Sequence, residues 1–373
     1  MKKTTNFFKI SLIYFISIVL FVGIRIIFQF GFLSNVNSLW QDVISTLLIQ
    51  GGVMFLVPLL FYFLIFKQKP KETFTNLGFK KISIKAILIC FLIGIIAFFL
   101  NIIVSSFFNG IIGMLGYESS SSSSNADYSI LSFIINIICV AILPGFCEEF
   151  LHRGILMRGM FNSISVKHSL ILSSICFGLM HLNIVQVFYA AILGFLIGFV
   201  SIIGKSIWPA IIIHFTNNFI NVYLSFAKAN NWPLGSFYDV LNDFLSNNFI
   251  FAIIIISVVV FLLVFLLIKL LMSLLKITSF ESFKKVIINI KKSLNKNVID
   301  YNNENEFINE INYINEVEPI LIENLPEPKS TEELLLQDYY PKEKLTMQSK
   351  IIMYATLFLG IIITISTFIW GVL

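Results

Sequence analysis

Charged residues are scarce in this sequence. Asp, Glu, Lys and Arg make up 13% of its 373 residues, against about 25% in a soluble globular domain. No block of like charge occurs. The net +5 is spread along connecting segments, which argues against a nucleic-acid partner. Cysteine motifs are missing too. Cys90, Cys139, Cys147 and Cys176 lie in apolar runs, with no CxxC or CxxH spacing. That pattern excludes a disulfide framework and a cysteine zinc site, and reads as small core residues. These absences rule out a soluble enzyme, a secreted mini-protein and a disordered chain.

What is present is apolar: 57% of the residues are hydrophobic. A helix needs about 20 apolar residues to cross the hydrocarbon core. Nine candidate spans appear, at 10–32, 43–66, 84–116, 128–158, 169–182, 184–203, 206–226, 249–275 and 350–372. The fold class expected is all-α, a polytopic transmembrane bundle of about eight core helices plus one extra C-terminal span. Lys2, Lys3 and Lys9 precede the first run, but the run is too long for a signal peptide and no cleavage site follows. Cations favour the even connections, as in Lys67, Lys69, Lys71, Lys80 and Lys81, then Arg153, Arg158 and Lys167. By the positive-inside rule the N-terminus is cytosolic and the C-terminus outside.

The chain divides into N-terminal helices over 1–127, a core over 128–226, a further span over 227–276, a polar segment over 277–349 and a last span over 350–373. Ser119 to Ser124 is an unbroken serine run, read as a flexible loop tip. The polar segment begins basic, from Lys276 to Lys296, and turns acidic and Asn-rich from Asp300 to Glu333. A lipid-facing basic helix followed by a largely disordered cytosolic tether is expected there.

Ionisable groups inside spans are costly and usually functional. They gather in Pro144-Gly145-Phe146-Cys147-Glu148-Glu149, with His152 and Arg153 one turn on; in Phe177 to His181; and in His214 to Asn218, with Asn221 beyond. At 1.5 Å per residue, Glu148, His181 and His214 lie roughly 15, 18 and 12 Å from the cytosolic ends of their spans. Three helices thus bring polar groups to one level, which a membrane tolerates when they face a shared cavity. Glu149 and Arg153 are four apart and can pair, whereas Glu148 points about 100° away. Phe177 stands one turn before His181, and His214 one turn before Asn218. Pro144-Gly145 is expected to interrupt its helix. Bland readings exist for each group. The Glu-Glu string can be a solvated helix end, the histidines interhelical glue, Arg25 a snorkelling cation, and His152 and His168 interfacial.

The order Glu-Glu-x-x-x-Arg, Phe-x-x-x-His, His-x-x-x-Asn resembles the CPBP family of intramembrane proteases, also called the Abi or type II CAAX prenyl endopeptidase family. Ser206 to Ala210, leading into His214, fits the same pattern. The resemblance covers roughly 133–226, and it implies peptide-bond hydrolysis within the membrane. It makes Glu148 the general base, His181 a holder of the attacking water, and His214 with Asn218 the oxyanion hole. Glu149, Arg153 and Phe177 become structural or substrate-binding residues. Members are often labelled metalloproteases. Glu148, His181 and His214 would then be the ligands, although no HExxH is present and a metal would consume the best base; no resident cofactor is expected, with zinc the alternative. The Ile-, Asn-, Lys- and Phe-rich composition suits an AT-rich bacterial host and a multi-pass plasma-membrane location. The expected partners are the lipid bilayer and a peptide or membrane-protein substrate. The competing reading is a non-catalytic membrane protein, such as a bacteriocin-immunity protein, transporter or receptor, using the same polar cluster for binding.

Overall fold

The computed structural model describes residues 6–117, 127–161, 163–247, 249–298 and 345–372. The protein is a polytopic helical bundle. Its helices are α1 (Asn6–Gln29), α2 (Ser38–Phe66), α3 (Pro70–Asn76), α4 (Ile84–Met114), α5 (Ile130–Met160), α6 (Val166–Met180), α7 (Ile184–Ile203), α8 (Trp208–Asn230), α9 (Phe237–Asn247), α10 (Phe249–Val298) and α11 (Met347–Val372). Seven of them, α1, α2, α4, α5, α7, α10 and α11, are long and apolar enough to cross a membrane.

The two remaining expected spans fall on α6 and α8. With 15 residues, α6 rises only about 22 Å, short of the roughly 30 Å hydrocarbon core. Helix α8 has the length, at 23 residues, but interleaves His214, Thr216, Asn217, Asn218 and Asn221 with its apolar side chains. The segment after 249 differs from expectation in one respect. Span and basic helix are not separate: α10 runs unbroken for 50 residues, about 75 Å. The serine run and residues 299–344 of the polar segment lie outside the described residues.

Packing builds two apolar centres. One joins Phe7, Ile10 and Tyr14 of α1 to Met54 of α2 and to Phe150, Leu151 and Ile155 of α5. The other joins Cys90 and Ile93 of α4 to Ile197 of α7, Ile213 of α8 and Leu274 of α10. All four cysteines are free and buried, as small core residues. Between these centres α5 lies against α2 and α8.

Helix α5 does not break at Pro144. A π-helical stretch at Ile137–Ile142 precedes the proline, and a second, Phe150–Met157, follows the glutamates. Proline clashes with the turn before it and gives up a hydrogen bond. The wider π turn relieves that crowding, and such stretches are frequent at functional sites. A third spans Leu47–Leu56 of α2, facing α5.

Helices α6 and α7 form a tight hairpin. Its turn uses Leu182 at φ 50° and Asn183, whose side chain accepts from the Val185 N–H and caps α7. The last span completes this turn, because Thr367 Oγ1 accepts from the Ile184 N–H at 3.3 Å. Close approach is secured by Gly178: a Cβ there would stand 2.5 Å from the Val187 carbonyl oxygen and 2.8 Å from the Ala191 Cβ. Neither neighbour is a flexible tip, so Gly178→Ala should splay the hairpin and cost about 1–3 kcal/mol. Gly23→Ala, where nothing lies within 4 Å, is the control. Thermal unfolding of the detergent-solubilised variants checks this; equal melting temperatures would refute the steric account.

Candidate functional site

The polar residues of α5 point to two sides, as their spacing requires. Glu148 faces a cavity of about 250 Å³ shared with Arg25, Gln50, Cys139, His181 and Gln186. Its Oε1 accepts from the Gln50 side-chain amide at 2.8 Å. Gln50 sits in the π stretch of α2 and is buried. It escaped the sequence reading, although a lone amide in the apolar run of α2 was the same signal that singled out His181.

His181 ends α6. Its Nδ1 lies 2.9 Å from the Phe177 carbonyl oxygen. A carbonyl can only accept, so Nδ1 carries the proton and Nε2 is left as an acceptor in the neutral ring. Glu148 and His181 therefore line one cavity, each with an oxygen or nitrogen able to take a proton.

Glu149 turns the other way and is fully buried. Its Oε1 accepts from Arg153 Nη1 at 3.1 Å, the pair that their spacing predicts. The same oxygen accepts from His214 Nδ1 at 2.8 Å. This second bond was not anticipated, because it depends on how α8 is rotated against α5. Arg153 is also fully buried, and donates from Nη2 to the Gly194 carbonyl at 2.7 Å. A Cβ on Gly194 would come 3.1 Å from that nitrogen, so a larger residue would push the guanidinium away. Among the described residues Glu149 Oε2 and Arg153 Nε have no hydrogen-bond partner.

Phe177 joins the two sides. Its ring centroid lies 5.1 Å from that of His181 and 5.6 Å from that of His214, both edge-on. The Arg153 guanidinium sits 4.4 Å from the same centroid. The phenyl ring is thus a spacer that fixes both imidazoles and gives a buried cation a π face.

His152 is corrected from interfacial to core. It is fully buried. Its Nδ1 donates to the Glu148 carbonyl at 2.8 Å, which leaves Nε2 to accept from the Tyr14 hydroxyl at 3.0 Å. His168 is exposed beside Ser165. Asn218 donates to the Val140 carbonyl at 3.0 Å and accepts from Asn217 at 3.1 Å. One of its amide hydrogens is thereby used, and one remains.

Among the described residues no three His, Cys, Asp or Glu side chains converge on a point able to hold an ion. His214 Nδ1 is already bonded to Glu149, which leaves only its Nε2 for another partner.

Comparison with known proteins meets the resemblance read from the motifs. Residues 130–220 match the family described as type II CAAX prenyl endopeptidase Rce1-like. That stretch holds α5 from its first residue, the α6–α7 hairpin and most of α8, and so every polar residue of the two faces except Gln50, Arg25 and Tyr14. A curated relative from Bacillus subtilis (strain 168), YdiL, described as a candidate membrane peptidase, is 24% identical over 218 residues, covering 57% of this chain and 85% of its own length. No solved structure matches the chain.

Proposed function

We propose that this protein is an intramembrane endopeptidase in which Glu148 activates a water molecule. The observation that carries the reading is the pairing of Glu148 with His181 on one cavity inside a bundle whose core matches a peptidase family. A general base must stand within hydrogen-bond reach of the proton it takes. Glu148 has one carboxylate oxygen held by Gln50, which leaves the second for a water, and His181 Nε2 is free to hold that water's other hydrogen. Attack on a peptide carbonyl then places negative charge on its oxygen.

Two donors are proposed for that oxyanion: His214 Nε2 and the remaining amide hydrogen of Asn218. Because Nδ1 of His214 is bonded to Glu149, Nε2 bears hydrogen when the ring is an imidazolium. Preorganised donors of this kind act strongly where water is excluded. Glu149 would thus have two duties, holding Arg153 in the fold and the His214 ring in its orientation. No step is routed through a metal.

The substrate is proposed to be a peptide or membrane-protein segment reaching the cavity within the bilayer. Purified protein in detergent or liposomes, given a quenched apolar peptide, should release fluorescence at a rate unchanged by prolonged treatment with EDTA. Loss of activity under the chelator, restored by zinc, would overturn the metal-free base. Failure to cleave any peptide would favour a binding protein that uses the same polar cluster.

A further inference from the structure

The Glu148 cavity is not isolated. A second cavity of about 710 Å³ lies between the far end of α1, the start of α2, the α6–α7 turn and the last span. The two share Arg25, Ser45 and Ile49 as lining residues, so they lie side by side as a two-part vestibule beside Glu148. Arg25 stands at the joint. It sits one turn before the end of α1 with its side chain exposed, and a guanidinium cannot shed its charge. Among the described residues it makes no ion pair, only a ring contact with Phe21 at 5.9 Å. Two carboxylates line the vestibule: Glu148 on the inner cavity and Asp42 on the outer. Neither bonds to Arg25. A planar fork of donors facing an open polar space is suited to a carboxylate from outside the protein.

We propose that Arg25 is a specificity-determining residue that receives a carboxylate of the substrate, either its C-terminal carboxylate or an acidic side chain. This rests on the endopeptidase reading for its chemistry, but not for its binding step. Arg25 and Glu148 line the same small cavity, so the carboxylate sits within a few residues of the bond that Glu148 serves. Asp42 in the outer cavity repels a second acidic group further out. The last span contributes Ile363 and Thr367 to the outer wall, so the vestibule is completed by a helix beyond the matched family core.

Three quenched peptides with one apolar sequence test the proposal. The first has an amidated C-terminus and a glutamate, the second a free C-terminus and glutamine, the third an amidated C-terminus and glutamine. Wild type should prefer at least one carboxylate-bearing peptide over the neutral one by tenfold or more in kcat/KM, expressed in KM, and the preferred peptide identifies the source. Arg25→Gln should erase that preference, read as the ratio of kcat/KM between the carboxylate-bearing and neutral peptides, at an unchanged melting temperature, and Arg25→Lys should keep most of it. Equal KM values for all three peptides with wild type, or a preference that survives Arg25→Gln, would overturn the proposal and leave Arg25 as an interfacial cation. If no peptide is cleaved, the endopeptidase reading fails separately. Equilibrium binding of the same labelled peptides then decides: carboxylate-dependent affinity lost in Arg25→Gln supports the vestibule, and charge-blind affinity ends it. Should Arg25→Gln not accumulate, the wild-type ranking and Arg25→Lys carry the decision.

Discussion

Glu148→Gln should remove turnover almost entirely, by about 10²–10⁴-fold, the range a positioned general base supplies. The protein should stay folded. The substituted amide is nearly isosteric, and Gln50, which donates to the carboxylate at 2.8 Å, can donate to an amide oxygen as well. Glu148 also makes no ion pair among the described residues, so no partner charge is stranded. Measurement of kcat on a quenched peptide, beside melting temperature and peptide affinity, separates loss of chemistry from loss of fold. Full activity in the variant would end the general-base assignment and strengthen the non-catalytic alternative. Asn218→Ala, by contrast, should lower turnover by about 10²–10³-fold, the usual loss for one oxyanion donor.

Glu149→Gln should act on stability and turnover together. The Glu149 carboxylate accepts from Arg153 at 3.1 Å and from His214 at 2.8 Å, with no exposure to solvent. Its neutralisation leaves the Arg153 charge buried without a counter-ion, a loss of about 3–5 kcal/mol. Removing the cation as well, in Glu149→Gln/Arg153→Met, should restore much of the melting temperature. Turnover should not return with it, because His214 still lacks the carboxylate that positions its ring. A double variant that recovers stability and activity together would show that Glu149 serves the fold alone. A double variant no more stable than Glu149→Gln would show that Arg153 matters through its bond to Gly194 rather than through its charge.

The bundle was legible because long apolar runs announce spans by length alone, and every run read as a span falls on a helix. The Glu149–Arg153 pair was legible for a similar reason: four residues on one helix fix a shared face whatever surrounds it. The Glu149–His214 bond was not, since it requires the rotation of α8 about its own axis, which is decided by packing against α4 and α5. His152 misled because a histidine beside an arginine near a helix end reads as surface. The Tyr14 hydroxyl that satisfies it comes from α1, 138 positions away. Pro144 misled because the interruption rule assumes a regular α-helix before the proline, and here a π stretch occupies that place.

The bond from Ile184 to Thr367 has a consequence in time. The two residues are 183 positions apart, and a ribosome adds about 5–20 residues per second. The hairpin that carries His181 therefore waits about 10–40 s after emerging before the hydroxyl that caps its amide has been made. During that interval one N–H at the turn lacks the acceptor that the last span supplies. Biogenesis of the site is thus tied to the final insertion event, and a chain arrested before residue 367 would hold both glutamates and all four histidines with the turn still unfinished.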